Sequence, residues 1–221
     1  QRALALNQDH VATLYNRGIV LQHLGRNDEA LASYDRALAL DPNLAEGFYN
    51  RGNVLRKLDR NADALASYDR ALVLKPHFAN ALYNRANVLR DLSRHEDAIN
   101  SYDRALALEP DFAEALYNRG NALHEINRHE DALISYDRAL ALKPADPEAL
   151  NNRGNALAAM KCYEDALIAY DGSRAVKREG ALARYNRGNI LWELKRYSDA
   201  ATTFAQLVAA VPDYDYASGW L

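Results

Sequence analysis

The sequence has a single cysteine, Cys162, so no disulfide can form within the chain. A lone thiol fits a reducing compartment, and a cytoplasmic location is expected. No apolar run approaches the roughly 20 residues of a membrane-spanning helix, and no signal-peptide pattern is visible. Membrane partners are therefore not expected. Basic clusters are missing too: the formal net charge is −3, which gives no electrostatic footprint for nucleic acid. Proline and glycine are scarce, at 6 and 10 residues, and there is no linker-like stretch. Most of them recur at fixed intervals, as punctuation rather than as loops.

What the sequence does have is one phrase repeated. "GFYNRGNVLRKLDRNADALASYDRALVLKP", "ALYNRANVLRDLSRHEDAINSYDRALALEP" and "ALYNRGNALHEINRHEDALISYDRALALKP" follow one another at a spacing of 34 residues. Phased on "YNR", six repeats cover 11–44, 45–78, 79–112, 113–146, 147–180 and 181–214. Residues 1–10 align with the end of a repeat, and 215–221 read as the start of a following segment. The sequence thus reads as a piece of a longer array. Both ends would leave apolar faces open, including that near Trp220, so end-to-end homo-oligomers are expected.

Within 113–146, Leu116, Gly120, Leu123 and Ile126 share one helical face. Ala132, Leu133, Tyr136, Ala139, Leu140 and Leu142 do the same for a second helix. The short polar "NRHED" between them predicts antiparallel neighbours. Pro144 stops the second helix, and Asp111 and Asp146 are expected caps for the first helices that follow. The tyrosines 34, 68, 102, 136 and 170 fall on the apolar face and are expected in the core. The fold class is all-α: stacked helix pairs that bury their faces against neighbours.

The length of 34 residues, the small residues at 18, 52, 86, 120, 154 and 188, the alanines at 30, 64, 98, 132, 166 and 200, and the prolines at 42, 76, 110, 144 and 212 resemble the tetratricopeptide (TPR) repeat. The resemblance implies a right-handed superhelix whose concave groove, lined by first helices, binds an extended peptide or partner helix.

Opposite the apolar face of the first helix stand three polar series. Asn16, Asn50, Asn84, Asn118, Asn152 and Asn186 occur once in every repeat. Asn53, Asn87, Asn121, Asn155 and Asn189 form a second series, with Ile19 in the first repeat. Tyr15, Tyr49, Tyr83, Tyr117 and Tyr185 form a third, with Asn151 in the fifth repeat. Asn is a poor helix former, so this concentration has to serve something. A carboxamide offers both donors and an acceptor, matching a peptide backbone, and Tyr adds apolar area with a polar tip. The alternative is that these Asn residues only tie one repeat to the next.

Arg17, Arg51, Arg85, Arg119, Arg153 and Arg187 fall inside the apolar arc and require acids. The sixth repeat has Ala205 where the others have Asp, yet keeps Arg187. Pairing between successive repeats is therefore expected: Asp35–Arg51, Asp69–Arg85, Asp103–Arg119, Asp137–Arg153 and Asp171–Arg187.

The pattern "LYNRGNxL…HEDALxSYDRALALKP" and the closing "AATTFAQLVAAVPDYDYASGWL" also resemble the TPR region of bacterial O-GlcNAc-transferase-like (SPINDLY-like) glycosyltransferases. That resemblance implies that the Asn16–Asn186 series holds a protein substrate's backbone for a catalytic region lying elsewhere in a longer protein. No catalytic, metal or cofactor motif is found in this sequence. His95–Glu96 and His129–Glu130 lack the second His of a zinc helix, and Cys162 has no thiol or base partner. "YDGSRAVKREGALARYNRG" breaks the pattern: Gly172 and Ser173 should weaken the second helix, Arg174 and Arg184 replace apolar residues, and Arg178 replaces the proline. A loosened junction between repeats five and six is expected, as a hinge or as drift. The leading function is a protein-interaction module for extended polypeptide. Its rivals are a glycosyltransferase's recognition arm and a self-associating scaffold.

Overall fold

The computed structural model describes residues 2–177 and 180–210, with side chains from His10 onward. Arg178, Pro212, Tyr214, Trp220 and the segment 215–221 lie outside the described residues. Among those described, twelve α-helices and no strand occur. They are α1 (Arg2–His23), α2 (Asn27–Leu40), α3 (Ala45–Lys57), α4 (Asn61–Leu74), α5 (Ala79–Asp91), α6 (His95–Leu108), α7 (Ala113–Glu125), α8 (His129–Leu142), α9 (Pro147–Ala159), α10 (Tyr163–Val176), α11 (Ala181–Glu193) and α12 (Tyr197–Ala210). The chain forms two compact units, Gln1–Pro110 and Asp111–Leu221. In each, consecutive helices pair, and each pair packs on the next, as in a TPR solenoid.

Helices α2, α4, α6 and α8 end two residues before Pro42, Pro76, Pro110 and Pro144. Proline disfavours helical backbone in the residue before it, so the helix stops there. Gln8 stands in the corresponding place near the start, and α1 runs unbroken through the expected boundary at Val11. Within each pair, the turn is made by one residue in the left-handed region: Gly25, Asp59, Ser93, Asn127, Lys161 and Lys195, with φ of 57 to 73°. Around Asp59, Arg60 N–H donates to Leu55 O and Asp59 N–H to Arg56 O, satisfying carbonyls that the helix end leaves open.

One expectation about a helix end is corrected. Phe112, not Asp111, is the N-cap of α7, and no side chain caps it. Asp146 does cap α9, accepting from Glu148 N–H and Ala149 N–H, with Pro147 at the first helical position. Helix α10 continues through Gly172 and Ser173 to Val176. Gly172 takes the place of the exposed Arg70, Arg104 and Arg138, where no core side chain is lost.

The core repeats one contact. A tyrosine of the second helix lies flat against the small residue of the first. A Cβ added to Gly52, Gly120 or Gly154 would sit 2.5–2.6 Å from the ring of Tyr68, Tyr136 or Tyr170. In the sixth repeat, Phe204 faces Gly188 in the same way. These tyrosines, with Tyr34 and Tyr102, are at most 2 % exposed.

Candidate functional site

The arginines after "YN" reach in two directions. Arg51 Nε donates to Asp35 of the preceding repeat at 2.6 Å, and its Nη1 donates to Ser67 of its own repeat at 2.7 Å. Arg85 does the same with Asp69 and Ser101, both at 2.6 Å. In the second unit, Arg153 donates to Asp137 at 2.6 Å, and Arg119 and Arg187 donate to Ser135 and Thr203, both at 2.6 Å. The side chains of Arg51, Arg85, Arg153 and Arg187 are only 21–29 % exposed, so the guanidinium is held rather than waving in solvent. Arg187 Nε lies 2.9 Å from Asp171 Oδ1, yet is not aligned for a hydrogen bond. Arg174 Nη1 donates to that same oxygen at 2.8 Å and competes for it. Asp103 and Arg119 fall in different units.

The serine partners are the part that spacing alone did not reveal. Each stands sixteen residues after its Arg, as each Asp stands sixteen before, within the recurring "SYD". The Ser is itself anchored: Ser67 Oγ donates to Asp63 O at 2.9 Å.

The asparagines form a second relay. Tyr68 Oη donates to Asn53 Oδ1 at 2.8 Å, Tyr136 to Asn121 at 2.8 Å and Tyr170 to Asn155 at 2.9 Å. The same oxygens accept from the next repeat: Asn84 Nδ2 reaches Asn53 at 2.9 Å, Asn152 reaches Asn121 at 3.0 Å and Asn186 reaches Asn155 at 3.0 Å. The nitrogens also reach the tyrosine series, with Asn50 to Tyr15 at 3.0 Å, Asn84 to Tyr49 at 3.2 Å and Asn152 to Tyr117 at 3.1 Å. Asn151, standing where a Tyr is expected, accepts from Asn186 at 3.2 Å instead. In the third repeat, Tyr102 donates to the buried Asn87 at 2.6 Å. In the first repeat, which has Ile19 in place of Asn, Tyr34 turns to Gln22 at 3.1 Å. Asn16 is exposed, and Asn118, Asn189, Tyr83 and Tyr185 are half-buried on the same faces. Burial pushes the phenols of Tyr34, Tyr68, Tyr136 and Tyr170 well above their ordinary range, so they act as neutral donors.

Models of the tetratricopeptide repeat match residues 49–102, 83–147 and 151–215, and a TPR-repeat model matches 23–59. The chain belongs to the tetratricopeptide repeat family. TPR arrays are protein-interaction modules. Among solved structures, YrrB, a TPR protein with an unusual peptide-binding site, is 25 % identical with a TM-score of 0.72, covering 82 % of this chain and 93 % of that one. PilW, a type IV pilus biogenesis factor, is 23 % identical with a TM-score of 0.78, covering 93 % and 95 %. The pilF protein of Pseudomonas aeruginosa is 19 % identical with a TM-score of 0.75, covering 94 % of each chain. No curated protein matches the sequence.

Other candidates do not assemble into chemistry. His129 Nδ1 meets His124 Nδ1 at 3.1 Å, but no group of three or more metal-binding side chains exists among the described residues. Cys162 is half-buried, its Sγ 3.8 Å from Met160 O. No described helix is long and apolar enough to cross a membrane.

Proposed function

We propose that this TPR chain holds an extended polypeptide along its first-helix faces, reading backbone rather than side chains. The carrying observation is how the two Asn series divide their hydrogen bonds. Asn50, Asn84 and Asn186 spend Nδ2 on the preceding repeat, and their Oδ1 atoms receive no hydrogen bond among the described residues. Asn53 and Asn155 spend Oδ1, twice each, and their Nδ2 atoms donate to nothing among the described residues. Repeat two therefore offers one carbonyl at Asn50 and one amide at Asn53, each side chain held by an adjoining repeat. A peptide backbone presents the complementary N–H and C=O. Locked groups lose little entropy on binding, which favours affinity. Inter-repeat bonding and ligand binding are thus two uses of the same side chains.

An immobilised library of unbiased peptides tests this reading. Sequence-tolerant binding by the wild type, lost in N50A/N84A/N152A at unchanged helicity, is the expected result. Absence of any binding would leave the asparagines as inter-repeat ties.

A narrower reading makes the chain the substrate-recognition arm of an O-GlcNAc-transferase-like protein. It rests on the residue resemblance alone. A catalytic region in the longer protein would establish it. Self-association as a scaffold is favoured if mass rises with concentration while no peptide binds.

A further inference from the structure

Repeats two and three share an aromatic stack: Tyr49 of α3 and Phe78, just before α5, have ring centroids 4.8 Å apart. The same two places between repeats five and six hold Asn151 and Gly180. Both rings are missing at once. Asn151 keeps the acceptor that Asn186 needs, at 3.2 Å, but deletes the ring. A cleft of about 350 Å³ opens there, with Tyr117, Asn151, Asn152 and Leu182 in its lining. Leu182 is 55 % exposed and replaces the Glu46, Asn80, Glu114 and Glu148 of repeats two to five, so the lip is apolar where theirs is polar. Lys75–Glu46 and Lys143–Glu114 bridges close the corresponding edges of repeats two and four. Lys177 and Glu148, which line this cleft, make no such bridge.

We infer that this cleft receives an aromatic side chain of the bound polypeptide, a ring from the ligand standing where the protein's own rings stand between repeats two and three. This rests on the polypeptide-binding reading and gives it a specificity point. The cleft lies where both rings are absent, Tyr117 lines it with an aromatic side chain, and Asn151 and Asn152 line it with amides. The remaining faces stay tolerant of sequence, so one aromatic residue sets the register of the bound chain.

The test uses matched peptides, one with a Tyr and one with Ala at that place, and p-cresol as a free ring. Wild type, N151Y, which refills the hole, and L182E, which restores the polar lip, are compared after melting curves show each folded. Wild type should bind the Tyr peptide about tenfold tighter than the Ala peptide. N151Y should lose the preference, and L182E should weaken the Tyr peptide. Should wild type bind both peptides equally, the cleft is not a ring site, although the polypeptide reading stands. If no peptide binds but p-cresol shifts wild-type NMR signals of Asn151 and Leu182, and not those of N151Y, the ring site stands and the polypeptide reading falls. Neither peptide nor p-cresol binding overturns the inference.

Discussion

Arg51 Nε sits 2.6 Å from Asp35 Oδ1, joining two successive helix pairs, while Nη1 of the same guanidinium holds Ser67 inside its own pair. One side chain therefore couples contact within a repeat to contact between repeats. Arg51→Ala should cost about 2 kcal/mol, because it removes two hydrogen bonds and the packing of a half-buried stem. Asp35→Asn should cost under about 1 kcal/mol, since Asp35 is largely solvated. Chemical denaturation measures both. Equal losses would mean that the ion pair, not the guanidinium's double reach, carries the effect.

Tyr102→Phe removes the 2.6 Å bond to Asn87, which is buried at 6 % exposure. Loss of one hydrogen bond at a buried carboxamide should cost about 1 kcal/mol. Phe204 occupies the same place natively in the sixth repeat, so the ring itself is well tolerated. A neutral Tyr102→Phe would show that the Asn relay contributes nothing to stability.

Ser93 holds a φ of 57° at the turn between α5 and α6, and Gly25 holds 73° at the turn between α1 and α2. Ser93→Gly should raise stability by about 0.5 kcal/mol, the relief of left-handed strain exceeding the added freedom of the unfolded chain. Gly25→Ala should lower it by about 1 kcal/mol. Thermal melts read both signs, and a destabilised Ser93→Gly would contradict the turn assignment.

Burial first, and the adjacent His129 ring second, hold His124 below its ordinary pKa of 6.5. The unfolded chain regains the ordinary value and binds more protons below it. Stability from this group is therefore full above pH 6.5 and falls as pH drops through 6.5 toward the depressed folded value. His124→Gln should flatten the melting temperature between about pH 7 and 5 relative to wild type. Identical slopes would place the pH sensitivity elsewhere.

Much of the fold was legible because a 34-residue period states the helix pair repeatedly. The Asp and Arg partners could be matched across repeats because Ala205 breaks the pattern while Arg187 does not. Four things were hidden. The Ser that receives Arg51, Arg85 or Arg119 looks like a neutral helix surface residue until two helices are brought together. Asp111 has the chemistry of a cap but stands one residue too early. Asn151 and Gly180, 29 positions apart, read as separate irregularities; only folding turns them into one cleft. The division of the two Asn series into acceptors and donors depended on side-chain geometry that no periodicity contains.

The most direct measurement takes a peptide the wild type binds and replaces successive backbone amides by esters. An ester keeps every side chain and removes one N–H. The Asn acceptors predict that replacements facing Asn50, Asn84 or Asn186 weaken binding about tenfold each, with intervening ones silent. Unchanged affinity along the whole series would contradict a backbone-reading ladder.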